Sequence, residues 1–125
     1  MKDIQFSLTL PEKVSMNKVK GMFWRTWHAL AELFHGELLE IKGKVKVKDY
    51  PVVITYDYHW TKNPLDSLNS ALMSKLIEDG MVHAGVLEDD SPKFVRESRL
   101  RTQKSDKYKH DTVVITISYL FEIEK

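Results

Sequence analysis

Apolar and polar residues alternate without interruption through Ile4-Gln5-Phe6-Ser7-Leu8-Thr9-Leu10 and the alternation stops at Pro11. A period of two predicts a first strand there, with one face buried. A loop, Pro11 to Asn17, follows. From about Lys18 to Leu39 the period changes, and Phe23, Trp27, Leu30, Phe34 and Leu38 return at helical spacing. This predicts a long amphipathic helix, with Gly36 as a candidate early end. Residues 42–60 read as strand material broken around Asp49 to Pro51. Val45 and Val47 fall on one face there, and Lys44, Lys46 and Lys48 on the other.

A second helix is expected from about Pro64 to His83. Asn63 suits the cap and Pro64 the first helical position. Asp66 then falls in the first turn, where a negative charge favours the helix dipole. Residues 93–103 predict a strand, residues 104–111 a polar turn, and residues 112–123 the clearest strand of the chain. The order is β-α-β-β-α-β-β in a single domain spanning 1–125. The fold class expected is α+β, a small mixed β-sheet with two main helices.

Composition adds limits rather than direction. At 125 residues, with 42% hydrophobic and 30% charged residues, the chain suits one ordinary soluble domain with a real core. It contains no cysteine, which excludes disulfide and thiolate chemistry and makes a reducing cytoplasm the expected compartment. No apolar run approaches the ~18 residues of a membrane span, and the N-terminal stretch lacks the apolar core of a signal peptide. Phosphate-loop, dinucleotide-binding and nucleophile-elbow motifs are all missing from the sequence.

Net charge is only +1, but its distribution is uneven. Lys93, Arg96, Arg99, Arg101, Lys104, Lys107 and Lys109 crowd one stretch, against Glu97 and Asp106. With Lys44, Lys46 and Lys48 they form either a track for a nucleic-acid backbone or the charged strand faces that keep sheet edges from pairing. Negative charge gathers at Asp66 and at Glu88-Asp89-Asp90. Hard cations such as Mg²⁺ take one or two carboxylates plus water and phosphate, so these acids are candidates for a metal site that activates water on a phosphodiester. The plainer reading makes Asp66 a helix-start acid and the second group a solvated turn.

His28, Glu32 and His35 share a face of the first helix and form a weaker candidate for a transition metal. Trp24, Trp27 and Trp60 are candidates for stacking on bases, although Trp27 lies in the apolar stripe and suits the core better.

The stretch Lys75 to Asp90, with the order of elements around it, resembles the RusA family of Holliday-junction resolvases of bacteria and their phages. The family pattern has an N-terminal strand, a Pro-rich loop with Ser and Asn, and an acidic D-x-D-N opening a helix. That helix carries a lysine and an aspartate, runs into an Ala-Gly turn, and is followed by an Asp-Asp pair and closing strands. Lys75, Asp79, Ala84-Gly85 and Asp89-Asp90 match its second half, Pro11, Ser15 and Asn17 its first segment, and residues 113–117 its closing strand. The resemblance covers most of the chain, and its specific part is residues 65–90.

The resemblance implies a homodimer that cuts four-way DNA junctions with Mg²⁺ held by aspartates near the dimer interface. It assigns Asp66 to the first acid of D-x-D-N, Asn69 to its Asn, Lys75 to the catalytic-site lysine, and Asp90, with Asp89 beside it, to the downstream metal ligand. Asn17 and Asn69 would join the basic residues at the DNA.

Two departures stand out. Leu68 occupies the position of the second acid, and the spacer between Asn69 and Lys75 is longer than in the commonest family form. Asp66 and Lys75 are nine residues apart, about half a turn out of phase on a regular helix of 3.6 residues per turn. Asp66 therefore precedes the regular helix, or the site is rearranged, or catalysis is lost. Glu88 and Asp57 are candidates for the missing carboxylate.

The expectation is a Mg²⁺-dependent endonuclease of branched DNA, encoded by a phage or prophage and acting in the bacterial cytoplasm. The alternative is a non-catalytic relative that binds nucleic acid or a protein partner, such as a phage regulator or a host-defence inhibitor.

Overall fold

The structure is a computed structural model that describes residues 3–14 and 24–120, the side chains of residues 24 and 25 excepted. Asn17 and Ser15 of the expected loop, Phe23 of the expected stripe and the Trp24 side chain lie outside the described residues, as does the expected strand beyond residue 120.

Six elements follow one another: β1 (Ile4–Thr9), α1 (Trp24–Leu39), β2 (Val52–Trp60), α2 (Ala71–His83), β3 (Val95–Lys104) and β4 (Thr112–Tyr119). The strands form one mixed sheet in the order β1-β4-β2-β3, so the α+β class holds. β4 is antiparallel to both β1 and β2, while β2 and β3 run parallel. Parallel neighbours need a crossover, and α2 supplies it as a β-α-β unit.

Of the strand material expected in residues 42–60, the part after Pro51 forms β2. The part before it joins no ladder of the sheet. The predicted alternation still operates there: Val47 is buried while Lys44, Lys46 and Lys48 are exposed. The Val47 N–H donates to the Val86 carbonyl at 2.9 Å, which lays this segment against the loop after α2.

Strand parity sorts the sheet into two faces. Phe6, Ile115, Tyr56 and Leu100 align in one row across all four strands on the helix-covered face. The next row, Gln5, Thr116, Thr55 and Arg99, lies on the opposite, polar face. Ile54, Tyr56, Tyr58 and Trp60 are fully buried on the helix side, as are Val113, Ile115 and Ile117. The Tyr58 hydroxyl shares a 2.7 Å hydrogen bond with Ser74 Oγ of α2, so a polar atom on this face finds its partner inside the core.

Helix α1 buries Leu30, Phe34 and Leu38, with Trp27 packed at the margin of the core. Gly36 does not end it, and the helix continues to Leu39. Its crossing with α2 is close: a Cβ on Gly80 would stand 2.2 Å from Leu38 Cδ1 and 3.0 Å from His35 Cδ2. Among the described residues, no helix is long and apolar enough to cross a membrane.

Candidate functional site

The acids and bases singled out in the sequence occupy three places around the β2-α2-β3 crossover. The first is the turn before α2, residues 67–70, where the helix begins later than Pro64. Asp66 precedes the regular helix and organises this turn. Its carboxylate accepts from the Asn69 backbone N–H at 2.9 Å and from Asn69 Nδ2 at 3.1 Å, and its carbonyl accepts from the Ser70 hydroxyl at 3.0 Å. A short acid holding the amide three residues on is the local chemistry of a helix entry. Leu68, at the position of the missing acid, is 78% exposed.

The second place is the space between α2 and the loop before β3. Lys75 Nζ stands 3.0 Å from Asp79 Oδ1, one helical turn on, and 3.0 Å from Asp90 Oδ2, which the loop brings back. The hydrogen bond from Lys75 holds the Asp90 carboxyl below its ordinary range, and the two carboxylates push the ammonium above its own. Behind this group lies a cavity of about 200 Å³ lined by Tyr56, Ser74, Lys75, Glu78, Ser98 and Leu100.

Glu78 accepts there from the Tyr56 hydroxyl at 2.8 Å and from Ser98 Oγ at 3.3 Å. Burial pushes its carboxyl above the usual range, and Asp90 adds to the rise. Sequence reasoning missed Glu78. The usable signal was its position three residues after Lys75 on the same helix face.

The third place is the loop after α2. The Glu88 N–H donates to the Tyr50 hydroxyl at 2.9 Å, and Tyr50 donates to the Val47 carbonyl at 3.2 Å. A cavity of about 640 Å³ opens here, with Lys46, Lys48, Tyr50, Leu87 and Glu88 in its wall. The lysine stripe and the acidic loop, 40 residues apart in sequence, are neighbours. Asp89 and Asp90 are half-buried on the same loop.

Other candidates separate. Asp57 cannot complete the acidic group at Lys75, because strand parity turns it to the face opposite Tyr56 and Glu78. There it pairs with His59 Nε2 at 3.2 Å and accepts from Gln103 Nε2 at 3.0 Å. Trp60 is not available to stack on a base: it is fully buried, stacked on Tyr58, and donates to Thr102 Oγ1 at 2.7 Å.

His28 and Glu32 are exposed on α1, whereas His35 turns to α2 and stacks on His83 at 5.6 Å. Burial and the neighbouring His83 lower its pKa. These three do not converge. Among the described residues, no group of three or more His, Asp and Glu side chains gathers with the geometry of a metal site.

Positive charge lies on the exposed side of β3, at one edge of the sheet. Arg96, Arg99 and Arg101 are exposed, and Lys93 just before the strand lies over the Phe94 ring at 5.5 Å. Arg99 Nε donates to Glu97 Oε1 at 2.9 Å, which leaves Arg96 and Arg101 as the less committed cations. Asn69 is half-buried beside Asp66, so the acid and amide assigned to a shared motif do meet. A comparison of the chain with protein-family models and with curated proteins finds no match.

Proposed function

We propose that the chain is a Mg²⁺-dependent endonuclease of branched DNA, similar to the RusA family, and that its acidic site centres on Lys75 and Asp90. The observation that carries this reading is the meeting of Lys75 with Asp90 beside an arginine-bearing edge strand. Their residue types and spacing are those of the lysine and the downstream acid in the family pattern.

The donor chemistry suits a hard cation. Asp79 and Asp90 direct carboxylate oxygens at one positive charge, and Mg²⁺ asks for only one or two carboxylates with waters and a substrate phosphate. Asp90 and Asp79 would hold the ion, and Asp66 and Asp89 remain the further ligands that the resemblance implies. When bound, it would lower the pKa of a water and screen the charge of the scissile phosphate. Lys75, released from its two acids, would turn its ammonium to a non-bridging phosphate oxygen. Arg96, Lys46 and Lys48 would hold the strand beside the site, with Arg99 and Arg101 on the other face of the same sheet edge, all through salt-sensitive phosphate contacts. On the same reading the active unit is a homodimer of phage or prophage origin in a bacterial cytoplasm.

A second reading rests on Leu68 and on the engagement of Asp66 by Asn69. A relative that binds branched DNA or a protein partner without cutting would keep the fold and the basic edge and have no use for a second acid. Cleavage of a labelled four-way junction in Mg²⁺ separates the two. Specific cutting by the wild type, abolished in Asp90→Asn and in Asp66→Asn, supports the enzyme. Tight binding without cutting gives the second reading, and no binding at low salt overturns both.

A further inference from the structure

Beyond the acidic cluster, the β3–β4 loop borders an open groove of about 640 Å³, lined by Thr61, Lys104, Ser105, Asp106, Tyr108 and Lys109. It lies past the carboxyl ends of the parallel strands β2 and β3, where open α/β sheets place ligands. Its wall combines two exposed ammonium groups with one carboxylate, Asp106, and the Lys107 ammonium stands 5.7 Å from the Tyr108 ring centroid.

A second acid, Asp111, is held against the Thr61 side of the wall. One of its oxygens accepts both the Thr61 N–H at 2.8 Å and the Thr61 hydroxyl at 3.0 Å. Ser105 Oγ accepts from the Lys107 N–H at 3.2 Å, which leaves its own hydroxyl proton to donate. The Tyr108 ring is set edge-on against His59 at 5.2 Å, and His59 is anchored by Asp57. A held aromatic ring among cations and a hydroxyl donor is suited to a phosphate group carried on a sugar or base.

We propose that this groove is a phosphate-binding pocket and that it holds a backbone phosphate of one DNA arm. The DNA part of this proposal rests on the function proposed above, while the phosphate chemistry stands on the pocket itself. Lys104 lies six residues beyond Ser98 on β3, or about 20 Å along the strand at roughly 3.3 Å per residue. Ser98 touches Glu78 behind the Lys75 group, so the pocket and that group are two grips about six nucleotide steps apart at roughly 3.4 Å per step.

The test uses the full chain and the double variant Lys104→Gln/Lys109→Gln. Both lysines are exposed, so the variant should melt with the wild type, which thermal unfolding checks. Inorganic pyrophosphate is titrated into each while amide NMR shifts are followed. Saturable shifts confined to residue 61 and residues 104–109, lost in the variant, are expected. No shifts in the wild type, or equal shifts in both, overturn the pocket.

In parallel, fluorescence anisotropy with a labelled four-way junction should show about tenfold weaker binding by the variant and a salt slope lower by about 1. Equal junction affinity with a lost pyrophosphate site overturns the DNA arm and assigns the pocket to a free phosphate compound. A wild type that binds pyrophosphate but no junction overturns the DNA reading and upholds the pocket.

Discussion

Lys75 and Asp90 lie 15 residues apart in the chain, yet their charged atoms stand 3.0 Å apart. The Gly85 turn, at φ +78°, reverses the chain after α2 and lets the loop bring Asp90 back beside the helix. Asp79 completes the group from one turn further along α2. The pair joins a helix to a loop and defines the position from which any chemistry at this site would proceed.

Because Lys75 is 57% exposed and Asp90 28% exposed, solvent screens their attraction, and Lys75→Met should cost only about 0.2–1 kcal/mol at neutral pH. The sign with pH follows from Asp90, whose carboxyl is held low in the folded chain. Its contribution is present above the unfolded aspartate pKa of about 3.9 and is lost as pH falls through the lower folded value. Melting curves of wild type and Lys75→Met should therefore converge below about pH 4. A gap that persists in acid would show that the pair is not its source.

Glu78 runs the other way. Burial raises its folded pKa, so the folded chain favours the protonated form and Glu78 weighs against stability once ionised. Glu78→Gln keeps an acceptor for the Tyr56 hydroxyl and carries no charge. It should raise the melting temperature at pH 7, and the gain should fade as pH is lowered through the raised pKa. Thermal melts across pH 4–8 check both statements.

Gly36 and Gly80 predict opposite signs for one substitution. Nothing lies within 4 Å of a Cβ at Gly36, so Gly36→Ala should stabilise by up to about 1 kcal/mol through helix propensity alone. At Gly80 the same methyl would meet the fully buried Leu38, and overpacking of about 1–3 kcal/mol outweighs the propensity gain. Urea unfolding of the two variants should move the midpoint in opposite directions.

Trp60→Phe should destabilise by about 1–3 kcal/mol, because it shrinks a fully buried ring and removes the donor to the half-buried Thr102 hydroxyl. On the function proposed above, junction affinity should stay unchanged. A large loss of affinity with unaltered urea stability would mean that Trp60 contacts DNA after all.

On the function proposed above, Arg101→Ala on β3 should weaken DNA binding for all sequences alike and lower the salt slope by about 1, as expected for one lost phosphate contact. Arg99→Ala should do less, since Glu97 already holds its guanidinium. Anisotropy titrations at several salt concentrations give both slopes.

Much of the architecture was legible because it depends on local periodicity. Ile4 to Leu10, the Leu30-Phe34-Leu38 stripe and Val113 to Tyr119 each announce their element and their buried face. Trp60 was harder to place. Its residue type suits stacking, and only the packing of Tyr58 and Thr102 around it shows that it belongs to the core. Helix α2 starts at Ala71, seven residues after the expected Pro64, because Asp66 and Asn69 compete locally for backbone groups and make a turn of their own before the helix.

The sequence by itself determined the α+β class, the alternation of the strands, and the residue types from which an acidic and a basic surface can be made. Periods of 2 and 3.6 are properties of a chain segment and need no distant partner. The tertiary structure decided which of those residues meet. The crossover of α2 joins Lys75 to Asp90 and places Glu78 between Tyr56 and Ser98. The Val47 contact with Val86 brings the lysine stripe to the acidic loop. Strand parity sends Asp57 away to His59 on the opposite face. These are long-range pairings, set by strand order and register, and no local pattern encodes them.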